Sequence, residues 1–408
     1  MNKLIRFICR VIPGIVFIFS GLVKAVDPVG GAIKFEDYFT AFHLSWLAPF
    51  SLTLSLILAA VEFLLGFHLL LGLYLKKLAP LALLLMTVFF FLTLYIAIFN
   101  PVSDCGCFGE ALKLTNWQTF FKNVVLIIFT FGLYKFRKNY QTQYSGVRMA
   151  LTSLLLTIYI FALGIWSVQN LPIIDFRPFK TGTHIASQME VPEGAEQPQI
   201  ETVFILEKNG ERKTFSINDY PYDDTTWVFI DSETKVLKEG FQPPLHDFSL
   251  LDPDLGDATQ QVINHPGPQF LLIAPSLQEM EKSVILPLTE LAELSRQKNI
   301  PFYCITASGS AETLEFDLSN KTMFRYLQSD ETTLKTMIRS NPGLIMLYDG
   351  TITGKWHYRN LPEKTIVNNP LSYTIHEMAQ RNERRIFWIN LLIMILIPIM
   401  IINRKTIK

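Results

Sequence analysis

The chain has 408 residues, with 36 basic and 36 acidic side chains and a formal net charge of zero. That balance gives no electrostatic case for a nucleic-acid partner, which needs a basic surface to neutralise phosphates. Half of the residues are hydrophobic (50%), and four cysteines are too few for a disulfide scaffold but enough for one redox-active pair.

The apolar residues are clustered, and several runs reach the roughly 20 residues that cross about 30 Å of hydrocarbon as a helix. The chain is therefore expected to be polytopic, with the lipid bilayer as its principal partner. The first run covers residues 4–23, with Arg10 near its start. A cleavable signal peptide shares that pattern, but no small-x-small site follows, and residues 21–28 read as a helix leaving the bilayer. Phe35, Tyr38, Phe39, Phe42 and Trp46 then recur at helical spacing, which predicts an amphipathic helix on the membrane surface.

Spans two and three are expected at 49–75 and 78–99, with Lys76 and Lys77 in the turn between them. The loop after span three carries Asp104-Cys105-Gly106-Cys107-Phe108-Gly109. Asn116 is the expected cap of a fourth span at 117–134; a fifth follows at 149–168 and a sixth at 386–402. Basic residues at the N-terminus, at 76–77, at 135–148 and after residue 403 fall on one side, which predicts both termini in the cytoplasm. Arg381, Arg384 and Arg385 are the exception. The Cys-Gly-Cys loop and residues 170–385 then lie outside, in the periplasm of a cell with two membranes, where a disulfide can persist.

Residues 170–385 read as globular. Strands are expected at 202–206, 213–217 and 227–231, with a turn at Asn209-Gly210, and a boundary at Gly240 and Pro243-Pro244. A second piece runs strand (270–274), helix (277–298), strand (302–306), helix (330–340), strand (343–348), the turn Asp349-Gly350, strand (351–358) and helix (371–383). A strand-helix-strand unit followed by a hairpin predicts a mixed sheet covered by helices. The fold class is a polytopic α-helical membrane domain, a four-helix bundle plus two further spans, with an external α/β domain. Its divisions are 1–136, a fifth transmembrane helix at 137–170, a β-rich region at 171–242, the α/β domain at 243–384 and an anchor at 385–408.

Cys105 and Cys107 are the candidate catalytic pair. One intervening residue closes a small strained ring, and strain makes a disulfide easier to reduce. Asp104 opposes a thiolate by like charge. The competing readings are a static staple or a metal site, for which two thiolates need two more ligands; His43 is the only outer-side histidine of the membrane domain. Glu62 falls near the middle of span two, where a carboxylate is expected to be protonated or paired, as a proton relay, a quinone contact or a helix-helix bond. His68 is expected to pack without sharing the Glu62 face. Lys24 either snorkels, pairs with Asp27 or contacts a substrate. Cys304 reads as a small hydrophobe in a buried strand. His246, His265 and His357 show no metal spacing.

Residues 1–136 resemble the DoxX-like membrane proteins and, more closely, the methylamine-utilisation protein MauE. The resemblance rests on Phe19-Ser20-Gly21-Leu22-Val23-Lys24 with Asp27-Pro28, on Glu62-Phe63-Leu64-Leu65-Gly66, and on the Cys-Gly-Cys-Phe-Gly loop. It implies a four-helix membrane domain in respiratory or quinone-coupled sulfur chemistry, with disulfide formation in a periplasmic partner. Residues 245–370 resemble a thioredoxin-like domain through Asp247-Phe248-Ser249-Leu250, the strand 270–274 and Asn341-Pro342-Gly343. That resemblance implies a cis peptide at Pro342. It departs at 275–282, which holds no cysteine, with Glu279 and Lys282 near the expected places. The arrangement as a whole resembles DoxX-family proteins of the Bacteroidetes. The expected function is membrane thiol–disulfide exchange or quinone-linked electron transfer through Cys105, Cys107 and Glu62. The alternative is a non-catalytic scaffold or assembly factor whose thioredoxin-like domain binds a periplasmic protein.

Overall fold

Long apolar runs with almost no interior charge become helices because a helix satisfies every backbone polar group within its own segment. The computed structural model describes residues 3–402 except 103, 141–143, 193, 197–198, 209, 218, 223, 239, 242 and 246–247. Asn209, His246, Asp247 and the basic tail after residue 402, on which sequence expectations rested, lie outside the described residues.

The first helices are α1 (Lys3–Val26), α2 (Pro28–Ala41), α3 (Ser51–Leu71), α4 (Leu75–Phe99), α5 (Asn116–Lys135) and α6 (Gly146–Gln169). Four stretches are long and apolar enough to cross a membrane: Lys3–Val26, Ser45–Leu71, Leu75–Phe99 and Gly146–Gln169. Asp27 caps α2, its carboxylate accepting from the Gly30 N–H at 2.9 Å, with Pro28 in the first turn where no N–H is needed. Gly72, in the left-handed region (φ 76°), ends α3. Helix α5 is capped by Thr115 rather than by Asn116: Thr115 and Gln118 form a reciprocal capping box. Asn116 instead turns inward, donating to the Asn100 side chain and the Val102 carbonyl, both at 3.1 Å.

Helices α1 and α3 meet along a seam of small residues. A Cβ on Gly21 would sit 2.6 Å from the Ala59 carbonyl oxygen, and one on Gly66 would sit 2.7 Å from that of Gly14. Small residues let backbones approach closely where lipid supplies no hydrophobic drive between helices.

The described chain divides into two compact units. One is His184–Phe248 and the other joins residues 1–183 to 249–408. Within the smaller, the short helix α7 (Ile185–Met189) precedes β1 (Gln199–Lys208), β2 (Glu211–Ser216) and β3 (Val228–Lys238), an antiparallel sheet in the order β2-β1-β3.

The larger unit continues with β4 (Leu251–Asp252), β5 (Gly256–Asp257), α8 (Thr259–Ile263), β6 (Pro268–Ala274), α9 (Ile285–Gln297), β7 (Phe302–Thr306), α10 (Ser310–Asn320), β8 (Arg325–Gln328), α11 (Glu331–Met337), β9 (Gly343–Tyr348), β10 (Thr351–His357) and α12 (Pro370–Ile402). The sheet order is β10-β9-β6-β7-β8-β4-β5. Strands β6, β7 and β8 are parallel, while β9 and β10 form an antiparallel hairpin on the β6 edge. Strands covered on both faces must be apolar throughout, and Phe270, Leu272, Cys304, Leu344 and Met346 are fully buried. The Asn341–Pro342 peptide is cis, as expected. The two helical stretches expected at 371–383 and 386–402 are one continuous helix.

Candidate functional site

The Cys-Gly-Cys loop folds down onto the ends of the membrane helices. Gly106 has φ 65°, a conformation that suits glycine, and a Cβ there would also press on Lys34 at 2.9 Å. Asp104 accepts from the Gly106 N–H at 2.8 Å and from Lys34 Nζ of α2 at 3.1 Å. Tyr38, one turn further along α2, donates to the Cys105 carbonyl at 2.9 Å. Phe108 is buried edge-on against Phe19 of α1, and Lys122 Nζ of α5 lies 4.4 Å from its ring centre. Three helices thus hold the loop from below.

Both cysteines are free thiols and half-buried, with their Sγ atoms 2.9 Å apart. The Cys105 thiol, as hydrogen-bond donor, holds Cys107 down to about 6, helped by the Lys122 and Lys24 ammonium groups and opposed by burial. Cys105, which would have to surrender that donated proton, is pushed well above the ordinary thiol range, burial adding to the effect. The like-charge repulsion expected from Asp104 does not prevail, because Lys34 neutralises it. The electronics favour a single thiolate, on Cys107.

Beneath Cys107 lies a buried polar cluster. Lys24 Nζ is 2.7 Å from Glu62 Oε2, from Ser20 Oγ and from the Cys107 carbonyl oxygen. All of its donors are therefore used. Ser20 Oγ is 2.7 Å from both Glu62 Oε2 and the same carbonyl, so its single proton can serve one acceptor at a time. Glu62 is thus paired, and its partner is Lys24; Lys24 does not pair with Asp27. Ser20 and Lys24 are one helical turn apart on α1, which is the sequence signal that placed alone they did not give. His68 packs as expected, bonded to the Leu64 carbonyl and to Ser153 Oγ at 2.7 Å. Cys304 is fully buried in β7.

The α/β domain meets the membrane helices above the loop. Arg339, between α11 and Pro342, grips the Asp27 carboxylate with Nε at 3.2 and 3.1 Å and Nη2 at 3.1 Å. Burial raises the Asp27 carboxyl, but Arg339 and Arg177 outweigh it and hold it below the usual range. Arg177 is forked onto Asp175 at 2.7 and 2.9 Å and donates to the Thr336 carbonyl of α11 at 3.2 Å. Lys355 of β10 shares Asp175 at 2.7 Å. Gaps of about 30 Å3, between Gly106, Gly109, Lys24, Arg177 and Arg339, and about 10 Å3, beside Cys107, flank the loop. Glu279 and Lys282 are exposed. Arg339 was not legible beforehand as the partner of Asp27, since that contact crosses 312 residues of chain.

Residues 2–135 match the family model of the methylamine utilisation protein MauE, and residues 200–239 match a domain of unknown function. No curated protein and no solved structure matches the chain. The first third of the chain is therefore similar to MauE, and its helices are apolar enough to span a membrane.

Proposed function

We propose that Cys105 and Cys107 carry out thiol–disulfide exchange with a second dithiol or disulfide at the outer face of the inner membrane. In the reducing direction the Cys107 thiolate attacks the partner's disulfide, one partner sulfur leaves as thiolate, and a mixed disulfide forms. Cys105 then loses its proton and attacks Cys107, releasing the second partner thiolate. Two electrons pass to the partner and the loop is left as a disulfide; the reverse sequence oxidises a partner dithiol. The observation that carries this reading is geometric: two free thiols stand 2.9 Å apart in one loop, with Lys24 bonded to the Cys107 carbonyl and Lys122 against Phe108, an arrangement in which one sulfur can donate to the other and the nearby ammonium groups favour a thiolate.

The Lys24–Glu62–Ser20 cluster supports the loop from below by donating to the Cys107 carbonyl oxygen, which accepts hydrogen bonds but has no proton to pass on, so its part in this reading is to position Cys107 and place the Lys24 ammonium near it. A quinone does not fit the loop as it stands: gaps of about 30 and 10 Å3 are smaller than an aromatic ring, so no step is routed through one. The order β10-β9-β6-β7, two parallel strands flanked by a hairpin, supports a thioredoxin-like reading of residues 243–384. Without cysteines at 275–282 that domain takes no part in exchange. Its surface beside Pro342 is engaged through Arg339 with Asp27, which favours a fixed roof over the loop rather than a groove for a partner. We further infer that α5 and residues 386–402 of α12 complete six spans, with both termini cytoplasmic.

The test is the redox state of the loop in membranes, read by mass-tagging free thiols across a graded glutathione or dithiothreitol buffer. A reversible disulfide with a potential well above about −300 mV supports exchange, because structural disulfides lie below that value. A pair that stays oxidised at the reducing end, or never oxidises, sinks the exchange reading and leaves a scaffold.

A further inference from the structure

Arg381, Arg384 and Arg385 immediately precede the apolar half of α12. The fold gathers them on one wall, with Arg381 and Arg384 half-buried and Arg385 exposed at the rim. With Lys355 of β10 they line a cavity of about 110 Å3 against the end of α6. Among the described residues only two carboxylates, Asp175 and Glu377, stand on the same wall, and both are shared. Glu377 Oε1 lies 2.7 Å from Arg384 and 3.5 Å from Arg381. Asp175 takes both Lys355 and Arg177 at 2.7 Å. Arg385 Nε donates only to the Ile173 carbonyl, at 3.3 Å. Guanidinium groups keep their charge throughout the physiological range. The wall is therefore positive in excess, even though burial pulls Lys355 down to about 7 against the pull of Asp175. Trp356 also lines the cavity, and its buried Nε1 has no hydrogen-bond partner among the described residues.

The depth of the cavity is marked by aromatic side chains. Trp166, in the last turn of the α6 span, stands on its wall, with its ring 6.1 Å from that of Trp388, just inside the apolar part of α12. Tryptophan at the two ends of apolar helices belongs to the headgroup layer. Juxtamembrane arginines attract anionic lipid, and the planar fork of arginine matches phosphate oxygens in pairs.

We propose that this cavity binds a phosphate oxyanion at headgroup depth, the phosphodiester of an anionic phospholipid. The proposal is independent of the thiol chemistry. It explains why three arginines sit where loop charge would otherwise argue against them.

The test uses the full chain, purified in detergent and delipidated, titrated separately with phosphatidylglycerol, phosphatidylcholine and inorganic phosphate. Native mass spectrometry and thermal shift read occupancy. Saturable binding of one phosphatidylglycerol, about tenfold tighter than phosphatidylcholine and weakened about tenfold in Arg384→Gln/Arg385→Gln, supports the lipid site. Arg385→Gln alone, which removes only one backbone contact, leaves the fold intact and still weakens binding several-fold. Saturable binding of inorganic phosphate that falls in the same variants, with no preference among lipids, supports the oxyanion site with a soluble source. Equal binding of both lipids with phosphate silent, or binding unchanged in the variants, overturns it.

Discussion

At the scale of single residues, the proposed exchange rests on unequal sharing of one proton between the two thiols. Cys107 is held at about 6 by the Cys105 thiol and by Lys122 and Lys24, so at neutral pH it is mostly thiolate. Alkylation of Cys107 followed against pH should therefore show a midpoint near 6. In Cys105→Ala, which removes the donated hydrogen bond, the midpoint should move up by more than one unit, and in Lys122→Gln by less; peptide mass spectrometry reads both. A midpoint that stays near 6 in Cys105→Ala would assign the shift to the lysines alone. The buried Lys24–Glu62 pair yields a second expectation. Glu62→Gln leaves the Lys24 ammonium buried without a counter-charge and should cost about 3–5 kcal/mol, whereas Lys24→Met/Glu62→Leu together should cost less. Thermal unfolding of the two variants in detergent decides it. Cys105, Cys107 and Glu62 were legible in the sequence because cysteine is scarce and a carboxylate inside an apolar run is costly. Their partners were not, because Ser20, Tyr38 and Lys122 are ordinary residues until the helices that carry them are brought together.

Among elements, the α1–α3 contact has the least tolerance. Gly21 lies against the Ala59 and Phe63 backbone of α3, so no side-chain rearrangement can relieve an added methyl. Gly21→Ala should force the two helices apart, at a cost of about 1–3 kcal/mol, and should loosen the Lys24–Glu62 pair that bridges them. A lowered melting temperature together with faster alkylation of Cys107 is the expected result; an unchanged melting temperature would place the helices further apart than described. Strand boundaries were read well where an apolar run or a turn residue marks them, as at β7 and β9, which match expectation residue for residue. Helix α10 and strand β8 were missed because they bury little: of α10 only Thr313 is buried. The expected cap at Asn116 failed for a local reason, since Thr115 and Gln118 satisfy two backbone donors at once while Asn116 satisfies one.

For the molecule as a whole, the α/β domain is tied to the membrane helices by the buried Arg339–Asp27 ion pair. Asp27→Asn should leave Arg339 buried without a full counter-charge and weaken this attachment by about 3–5 kcal/mol, seen as faster proteolysis near residues 335–345 with the membrane helices still resistant. The pH dependence has a definite sign. Asp27 and Asp175 are both held below the usual carboxylate range, so their contribution is complete above the unfolded value of about 3.9 and is lost as pH falls through the depressed folded values. The contribution of these two carboxylates to proteolytic resistance should thus hold from neutral pH to about pH 4 and fall below it, while His357, pulled down to about 4 by burial and Arg359, should add a loss that begins as pH falls below about 6.5. The amino-acid sequence by itself determined the membrane class, four of the apolar spans and the presence of a mixed sheet, and it singled out the Cys-Gly-Cys loop as a candidate, because hydrophobic period, turn residues and rare reactive side chains are local signals. Which charge meets which was decided only by tertiary structure. Lys24 finds Glu62, Asp27 finds Arg339, and the outer arginines close on one cavity, since ion pairs between residues far apart in the chain leave no trace until the backbone has brought them within a few ångströms.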